Sequence, residues 1–230
     1  METVWLGQAG LYMKCNNATI ILDPYFSDSV KEHSDPSKKR RVPIDEHFLS
    51  VEPDFLMFTH NHLDHFDPQT ASIYLSREKK MTVLAPSSVL PKARSFGGRH
   101  HNYVQMNRHT VWTEKGIRFE SVKAEHSDEF AVGFIIEELS TGDKYYITGD
   151  TLYNREILHD IPTDIHVIFL PINGAGNNMN MTDAAVLAKE SGAKLAVPVH
   201  FGMFDSLDPH EFPFENKVIP ELYKKIELNR

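Results

Sequence analysis

Residues 59–67 constrain the fold and chemistry of this chain more than any other stretch. They include three histidines and two aspartates, directly after the apolar run at residues 55–58. Imidazole is the commonest metal ligand in proteins and carboxylate is its usual partner for a divalent ion, so this composition predicts a metal-binding loop. Histidines two positions apart cannot share a helical face, but from a loop at a strand end they can converge on one ion. The alternative is a polar surface loop, which this density of ligands disfavours.

Polar residues also follow other apolar runs, where the predicted strands end. His126 comes after the run at 116–122, Asp150 after 144–148 and His200 after 194–199. Each of these residues alone is typical of a structural cap. Two cations about 3.5–4 Å apart, bridged by a carboxylate, require this supply of His and Asp from several rigid strand ends. The pattern therefore predicts a two-metal centre at one edge of a sandwich.

Asp23 ends another short β-type run, at residues 19–22, and is followed by proline. One interpretation is that its carboxylate accepts the free N–H of a metal-binding histidine and fixes the orientation of that ring. The other is an ordinary Asp-Pro turn. The residues alone leave both open.

The order of the patterns along the chain predicts a layered α/β protein. Short β-type runs separated by Gly7, Gly10 and Asn16-Asn17 indicate an antiparallel meander. Strand and helix patterns then alternate, and from residue 103 strands dominate again. The chain shows no internal repeat or compositional break, so we expect residues 1–230 to form a single domain.

Composition and charge narrow the classes of function. The chain has no apolar run near 18 residues and no signal-like N-terminus, so we expect neither a membrane span nor export. The single cysteine, Cys15, suits a reducing cytoplasm and is expected to be a packed thiol. A net charge of −8 argues against nucleic acid as a partner.

The polar segment at residues 27–47 is expected to be a flexible surface loop. It contains the only basic cluster, at residues 38–41. If the substrate is an anion, this cluster can supply a cationic rim.

His60-x-His62-x-Asp64-His65, with the later strand-end residues and Gly149-Asp150-Thr151, resembles the metallo-β-lactamase superfamily over nearly the whole chain. The resemblance implies a four-layer αββα sandwich of two mixed β-sheets. It also implies a ligand set: one ion on His60, His62 and His126, the other on Asp64, His65 and His200, with Asp150 bridging. Asp23 matches the aspartate that orients the ligands. His65 stands where cysteine-ligand β-lactamases have arginine, which argues against β-lactam hydrolysis.

A closer resemblance is to the L-ascorbate-6-phosphate lactonase (UlaG-like) branch. It rests on the segments at 5–10, 23–25, 171–174, 178–180 and 198–204. The branch often has arginine where this chain has Ala175. The implied function is a cytoplasmic lactonase with one or two divalent ions, zinc or manganese, with iron as an alternative. The branch also favours assembly into a homo-oligomer.

The predicted chemistry is hydrolysis of a small molecule, which is anionic or phosphorylated in one interpretation. Asp150 and Asp64 are the candidate catalytic residues, the first holding the nucleophile and the second moving a proton. Asn173 and Asn178 are candidate substrate-binding residues, with turn-forming amides as the alternative. Three other functions stay open: a phosphodiesterase or nuclease of the same fold, a di-iron redox protein, and a non-catalytic binding module.

Overall fold

Two six-stranded sheets form the framework of the protein, whose computed structural model describes residues 1–15 and 18–228. The predicted turn at Asn16-Asn17 lies outside these ranges. The first sheet contains, in spatial as well as chain order, β1 (Glu2–Gly7), β2 (Gly10–Cys15), β3 (Ala18–Leu22), β4 (Phe55–Met57), β5 (Thr82–Ala85) and β6 (Asn102–Gln105). The β1, β2 and β3 strands are antiparallel, as the predicted meander requires, and β3 to β6 are parallel.

The second sheet is also mixed. Its strands are β7 (Val111–Glu114), β8 (Ile117–Lys123), β9 (Val132–Glu138), β10 (Asp143–Ile147), β11 (Val167–Pro171) and β12 (Leu195–Val199). The β7 to β10 strands run antiparallel to their neighbours, whereas β10, β11 and β12 are parallel. As a result β8, β10 and β12 share one direction, and their C-terminal ends lie along one edge of the sheet.

The helices are short; those that follow β4 and β5 cover the outer face of the first sheet, and the one before β12 covers that of the second. They are α1 (Ser29–His33), α2 (Glu46–Ser50), α3 (Pro68–Leu75), α4 (Leu90–Gly97) and α5 (Met181–Glu190), with 3-10 turns at Arg155–His159 and Pro209–Glu211. Within the described ranges, no helix has the length and apolar character that crossing a bilayer requires.

The apolar core has two layers. One lies between the sheets, where the rings of Phe55 and Phe119 approach to 4.8 Å between centroids, and it continues to Leu187 of α5 on the far side of the second sheet. The other packs α3 and α4, through Tyr74 and Ala93, against the first sheet. The order helix, sheet, sheet, helix confirms the predicted four-layer sandwich.

The segment at 27–47 is not the flexible surface loop that the sequence predicted. It contains α1 and the start of α2, and Arg40 of the basic cluster is only 9% exposed. The Arg40 guanidinium donates to the carbonyl oxygens of Tyr25, Val42 and Pro43. A buried guanidinium with these partners anchors the segment, because backbone carbonyls compensate for the loss of water around the charge. Only part of the basic cluster therefore remains a surface feature.

We predict that Cys15 is chemically inert in the folded protein. It is 1% exposed, and burial together with the Glu138 carboxylate raises the pKa of its thiol to about 12. Since the thiolate is the reactive form, a disulfide reagent at pH 8 should modify the native protein about 10³-fold more slowly than the same protein in guanidinium chloride. Equal rates in the two conditions would contradict this placement.

Candidate metal centre

The predicted metal loop lies at the seam between the two sheets. It leaves the first sheet after β4 and runs to α3, which begins at Pro68 as predicted. The carbonyl oxygen of Thr59 accepts a hydrogen bond of 3.0 Å from the backbone N–H of Val132, so the start of the loop is attached to the second sheet. His126, Asp150 and His200 follow β8, β10 and β12, whose C-terminal ends lie along one edge. The strand directions therefore bring residues distant in sequence to one place.

His60, His62 and His126 form the first group of candidate ligands. One ligand atom from each lies within 4.8 Å of the others. Nδ1 of His62 is 3.1 Å from Nε2 of His126. His60 is fully buried, whereas the other two are half-buried and face the outside of the centre.

Asp64, His65 and His200 form the second group, within the same 4.8 Å limit. Nε2 of His200 lies 3.3 Å from Oδ2 of Asp64. Asp150 lies between the groups. Its Oδ1 is 3.2 Å from Nε2 of His65, and its Oδ2 is 3.2 Å from Nε2 of His200. Asp150 also clusters with His60 and His65, so it adjoins both groups.

Three buried atoms of this centre have no hydrogen-bond partner among the described residues: Nε2 of His60, Nε2 of His65 and Oδ1 of Asp150. The 3.2 Å approach between His65 and Asp150 is not aligned as a hydrogen bond. Unpaired polar atoms are costly in a protein interior, and an ion bound between them removes that cost. Five imidazoles and two carboxylates are also the donor types that divalent transition metals bind. The residues present fit such an ion.

Burial and neighbouring charges shift the pKa values of the centre in opposite directions. Burial lowers the pKa of His60 well below its usual value, and the nearby imidazole of His65 adds to the effect. For His200 burial opposes protonation, but the carboxylates of Asp150 and Asp64 outweigh it and raise the pKa to about 9. The pKa of Asp150 is held well below its usual range by His200 and His65, against the effect of burial. The centre therefore keeps its carboxylates ionised, and positive charge is stabilised beside them.

Asp23 contacts His65, a member of the second group, from the side away from Asp150. It is fully buried at the end of β3, and its Oδ2 lies 2.8 Å from Nδ1 of His65. Its other oxygen accepts from the backbone N–H of Thr59 at 2.8 Å, and the Thr59 hydroxyl donates to Oδ2 at 2.5 Å. When His65 donates from Nδ1, its Nε2 is left to face Asp150. The contact with His65 is the one that the first interpretation of Asp23 requires, and that His65 binds a metal stays a prediction.

Asn178 and Asn173 both line the cavity beside the centre, but their surroundings differ. The Asn178 amide nitrogen donates to Oδ2 of Asp150 at 2.8 Å, so it already holds a member of the centre. Asn173 is half-buried and holds no member of the centre; among the described residues its Oδ1, like that of Asn178, has no hydrogen-bond partner.

Several contacts of the centre were not predicted from the sequence. Gln8 donates to Asp64, and Asp128 accepts from the backbone N–H of Asn61 at 3.0 Å. The backbone oxygen of Asn177 lies 3.2 Å from Nδ1 of His126. The only sequence signals are that Gln8 lies within the segment at 5–10 and that Asp128 and Asn177 lie close in sequence to His126 and Asn178. The second aspartate of the loop, Asp67, does not join the ligand groups; it caps α3 by accepting from the N–H of Gln69.

A cavity of about 350 Å³ opens beside the centre. His62, Asp64, Asp150 and His200 reach it from the metal centre. Its outer wall includes Lys38 and Phe204. The size suits a small molecule rather than a polymer chain.

Comparison with known proteins places this centre in a family. The family model described as beta-lactamase superfamily domain matches residues 18–201. A UPF0173 metal-dependent hydrolase of Staphylococcus aureus is 26% identical over 231 residues, which cover 92% of this chain and 91% of the relative.

Solved structures share the fold. Igni18, a metallo hydrolase of the archaeon Ignicoccus hospitalis, superposes with a TM-score of 0.77 at 17% identity, covering 97% of this chain and 96% of the other. An isothiocyanate hydrolase from Delia radicum gut bacteria superposes with a TM-score of 0.71 at 17% identity. The superposition covers 99% of this chain and 98% of the other. Because the family model matches most of the chain, including every candidate ligand, the protein belongs to the beta-lactamase superfamily.

Proposed function

We propose that the protein is a metal-dependent hydrolase that opens a lactone, such as a sugar-acid phosphate lactone, as in the UlaG-like branch. The observation that carries the proposal is the convergence of seven His and Asp side chains on one centre beside the cavity, with three buried polar atoms unpaired. The S. aureus relative is described as a metal-dependent hydrolase, which supports the reaction class. The motif resemblance supports the lactone.

The two ligand groups assign the proposed ions to residues. His60, His62 and His126 would hold one ion. Asp64, His65 and His200 would hold the other, and Asp150 adjoins both groups. Zinc or manganese suits these donors, with iron as the alternative. Bound divalent ions supply Lewis acidity, which activates water and stabilises negative charge that develops on a carbonyl oxygen.

The residues of the chain then orient the reactants and move the proton. Asp64 lines the cavity, so its carboxylate is placed to take a proton from the attacking water and return it to the leaving oxygen. The Asn178 amide fixes Asp150 by its hydrogen bond, so that carboxylate keeps one orientation during the reaction. Asn173 lines the cavity and is placed to bind a hydroxyl of the substrate.

Lys38 is the proposed contact for an anionic substrate group. Among the described residues it is the only lysine or arginine lining the cavity, and its Nζ lies 6.0 Å from the ring centroid of Phe204. The backbone at Lys38 is held by the buried Arg40 two residues later and by its own N–H, which donates to the carbonyl of Asp35. A cation at the cavity wall favours a carboxylate or phosphate on the substrate.

A substrate panel tests the reaction class. The purified protein is assayed with sugar lactones, phosphorylated lactones, carboxylic esters, phosphodiesters and isothiocyanates. The assays are repeated after chelation and after readdition of Zn²⁺ or Mn²⁺. We expect lactone turnover that disappears on chelation and returns with metal. Turnover of phosphodiesters alone would assign the rival phosphodiesterase function, and activity that survives chelation would refute the metal requirement.

Replacing His62 tests the first ligand group. His62→Ala removes one imidazole from a three-histidine group, so we expect metal content to fall and kcat/KM to drop by about 10²-fold or more. The matched control is His159→Ala, an exposed histidine outside the centre. The control should retain metal and turnover. Full metal content and turnover in His62→Ala would rule out its role as a ligand.

Replacing Lys38 tests the charge of the substrate. Lys38→Gln should raise KM for an anionic lactone by about fivefold, since a half-exposed ion pair contributes about 1 kcal/mol at most. The KM for a neutral lactone should not change. Lys39→Gln, at the exposed neighbour outside the cavity lining, is the control. An equal effect on neutral and anionic substrates would argue against charge recognition.

A further inference from the structure

Gln8 occupies an unusual position in the turn between β1 and β2. Its φ is +50°, in the left-handed region that side chains other than glycine rarely adopt, and it is 2% exposed. Its backbone oxygen accepts from Nε1 of Trp5 and from the backbone N–H of His200, each at 2.8 Å. A strained residue that neighbouring structure holds in place is a common feature of functional sites. The backbone of Gln8 is thus tied directly to a candidate metal ligand.

The Gln8 side chain reaches a second candidate ligand. Its Nε2 donates to Oδ2 of Asp64 at 2.8 Å, and the same nitrogen lies 3.0 and 3.2 Å from Nε2 and Nδ1 of the His200 ring. Gln8 therefore contacts two of the three members of the group Asp64, His65 and His200. Among the described residues it makes no hydrogen bond to His60, His62 or His126.

The other ligand group has different supports. The Thr59 hydroxyl lies 3.1 Å from Nδ1 of His60, and the backbone oxygen of Asn177 lies 3.2 Å from Nδ1 of His126. The Ser127 hydroxyl lies 3.2 Å from Nε2 of His62. The Thr59 hydroxyl also lies 3.3 Å from Nδ1 of His65, so Thr59 contacts both halves of the centre. Gln8 contacts only the half that contains Asp64.

We propose that Gln8 is a positioning residue for the Asp64–His65–His200 half of the centre. Its backbone oxygen places His200 and its amide places Asp64, so Gln8 raises the affinity of this half for a divalent ion and leaves the other half unchanged. This proposal rests on the metal-dependent function proposed above.

The chemistry of an amide explains why glutamine suits this position. A partly buried carboxylate such as Asp64, whose side chain is 18% exposed, is stabilised by a hydrogen-bond donor. A lysine would donate but would add a positive charge that repels a cation, and a glutamate would face Asp64 with a like charge. A neutral amide donates without changing the charge of the group.

Two substitutions distinguish the contact of the Gln8 side-chain amide with Asp64 from the role of the Gln8 backbone in the turn. Gln8→Met keeps the length of the side chain but removes the donor. Gln8→Asn keeps an amide and tolerates positive φ, but it is one methylene too short to reach Asp64. Gln105→Met, at an exposed glutamine of β6, is the matched control.

The test is calorimetric titration of chelated full-length protein with Mn²⁺ and, separately, Zn²⁺. We expect both Gln8 variants to bind one ion about tenfold more weakly than the wild type, as for loss of a residue that orients a metal ligand. The other ion should bind as in the wild type, and Gln105→Met should match the wild type throughout. The thermal unfolding midpoint of the chelated variants, measured in parallel, should stay near that of the wild type.

Other outcomes overturn the proposal. Unchanged affinity in Gln8→Met shows that the amide does not position Asp64. Equal weakening of both ions, with a lower unfolding midpoint, shows a general structural role. If the wild type binds a single ion and neither variant weakens it, the proposal is overturned, because the half that contains Asp64 then either holds no ion or does not depend on Gln8. If neither the wild type nor any variant binds Mn²⁺ or Zn²⁺, the proposed metal-dependent function is refuted together with the role of Gln8. If the wild type binds metal but turns over no substrate of the panel, only the proposed hydrolase activity is refuted.

Discussion

The buried carboxylate of Asp23 is the contact on which the geometry of the centre depends. A carboxylate that is removed from water is tolerated only when its oxygens are satisfied, and here Thr59 and His65 supply the partners. These contacts join the end of β3 to the start of the metal loop, which follows the neighbouring parallel strand β4. They also orient His65, whose other ring nitrogen then faces Asp150. Without Asp23, the loop would lose its attachment to the strand beside it.

The centre is divided between the two sheets, so its geometry depends on how they pack. The first sheet contributes the metal loop and Gln8, whereas the second contributes His126, Asp150 and His200. Backbone hydrogen bonds cross the seam from Val132 to Thr59 and from His200 to Gln8. The aromatic core between the sheets fixes their separation. A change in core packing should therefore alter the distance between the two ligand groups even if no ligand is replaced.

Much of the fold could be predicted because the chain follows simple rules. Apolar runs ended by glycine or polar residues marked the strands, and Pro68 marked the start of α3. The α1 helix and the buried Arg40 were missed, since a short polar segment shows no periodicity and its anchoring depends on carbonyl groups brought together only by folding. Polar composition by itself does not distinguish an anchored segment from a flexible one.

At the candidate site, too, residues at strand ends could be predicted, whereas contacts that form only on folding could not. Strand-end placement was enough to predict that His60, His126 and His200 would meet, and the structure brings them into adjoining groups. That they bind ions stays a prediction. Gln8 could not be predicted, because its side chain reaches Asp64, 56 positions away, only through a turn with positive φ. Asp67, in the same loop as Asp64, has a different role because Pro68 starts a helix directly after it.

The central claim is that residues from both sheets form one two-ion centre. The most direct measurement is anomalous X-ray diffraction from crystals grown with Zn²⁺ or Mn²⁺, with data collected at the absorption edge of the metal. The account predicts two anomalous peaks, one within the group His60, His62 and His126 and one within the group Asp64, His65 and His200, on either side of Asp150. Peaks only at other positions, or no peak from protein that is fully active, would contradict it.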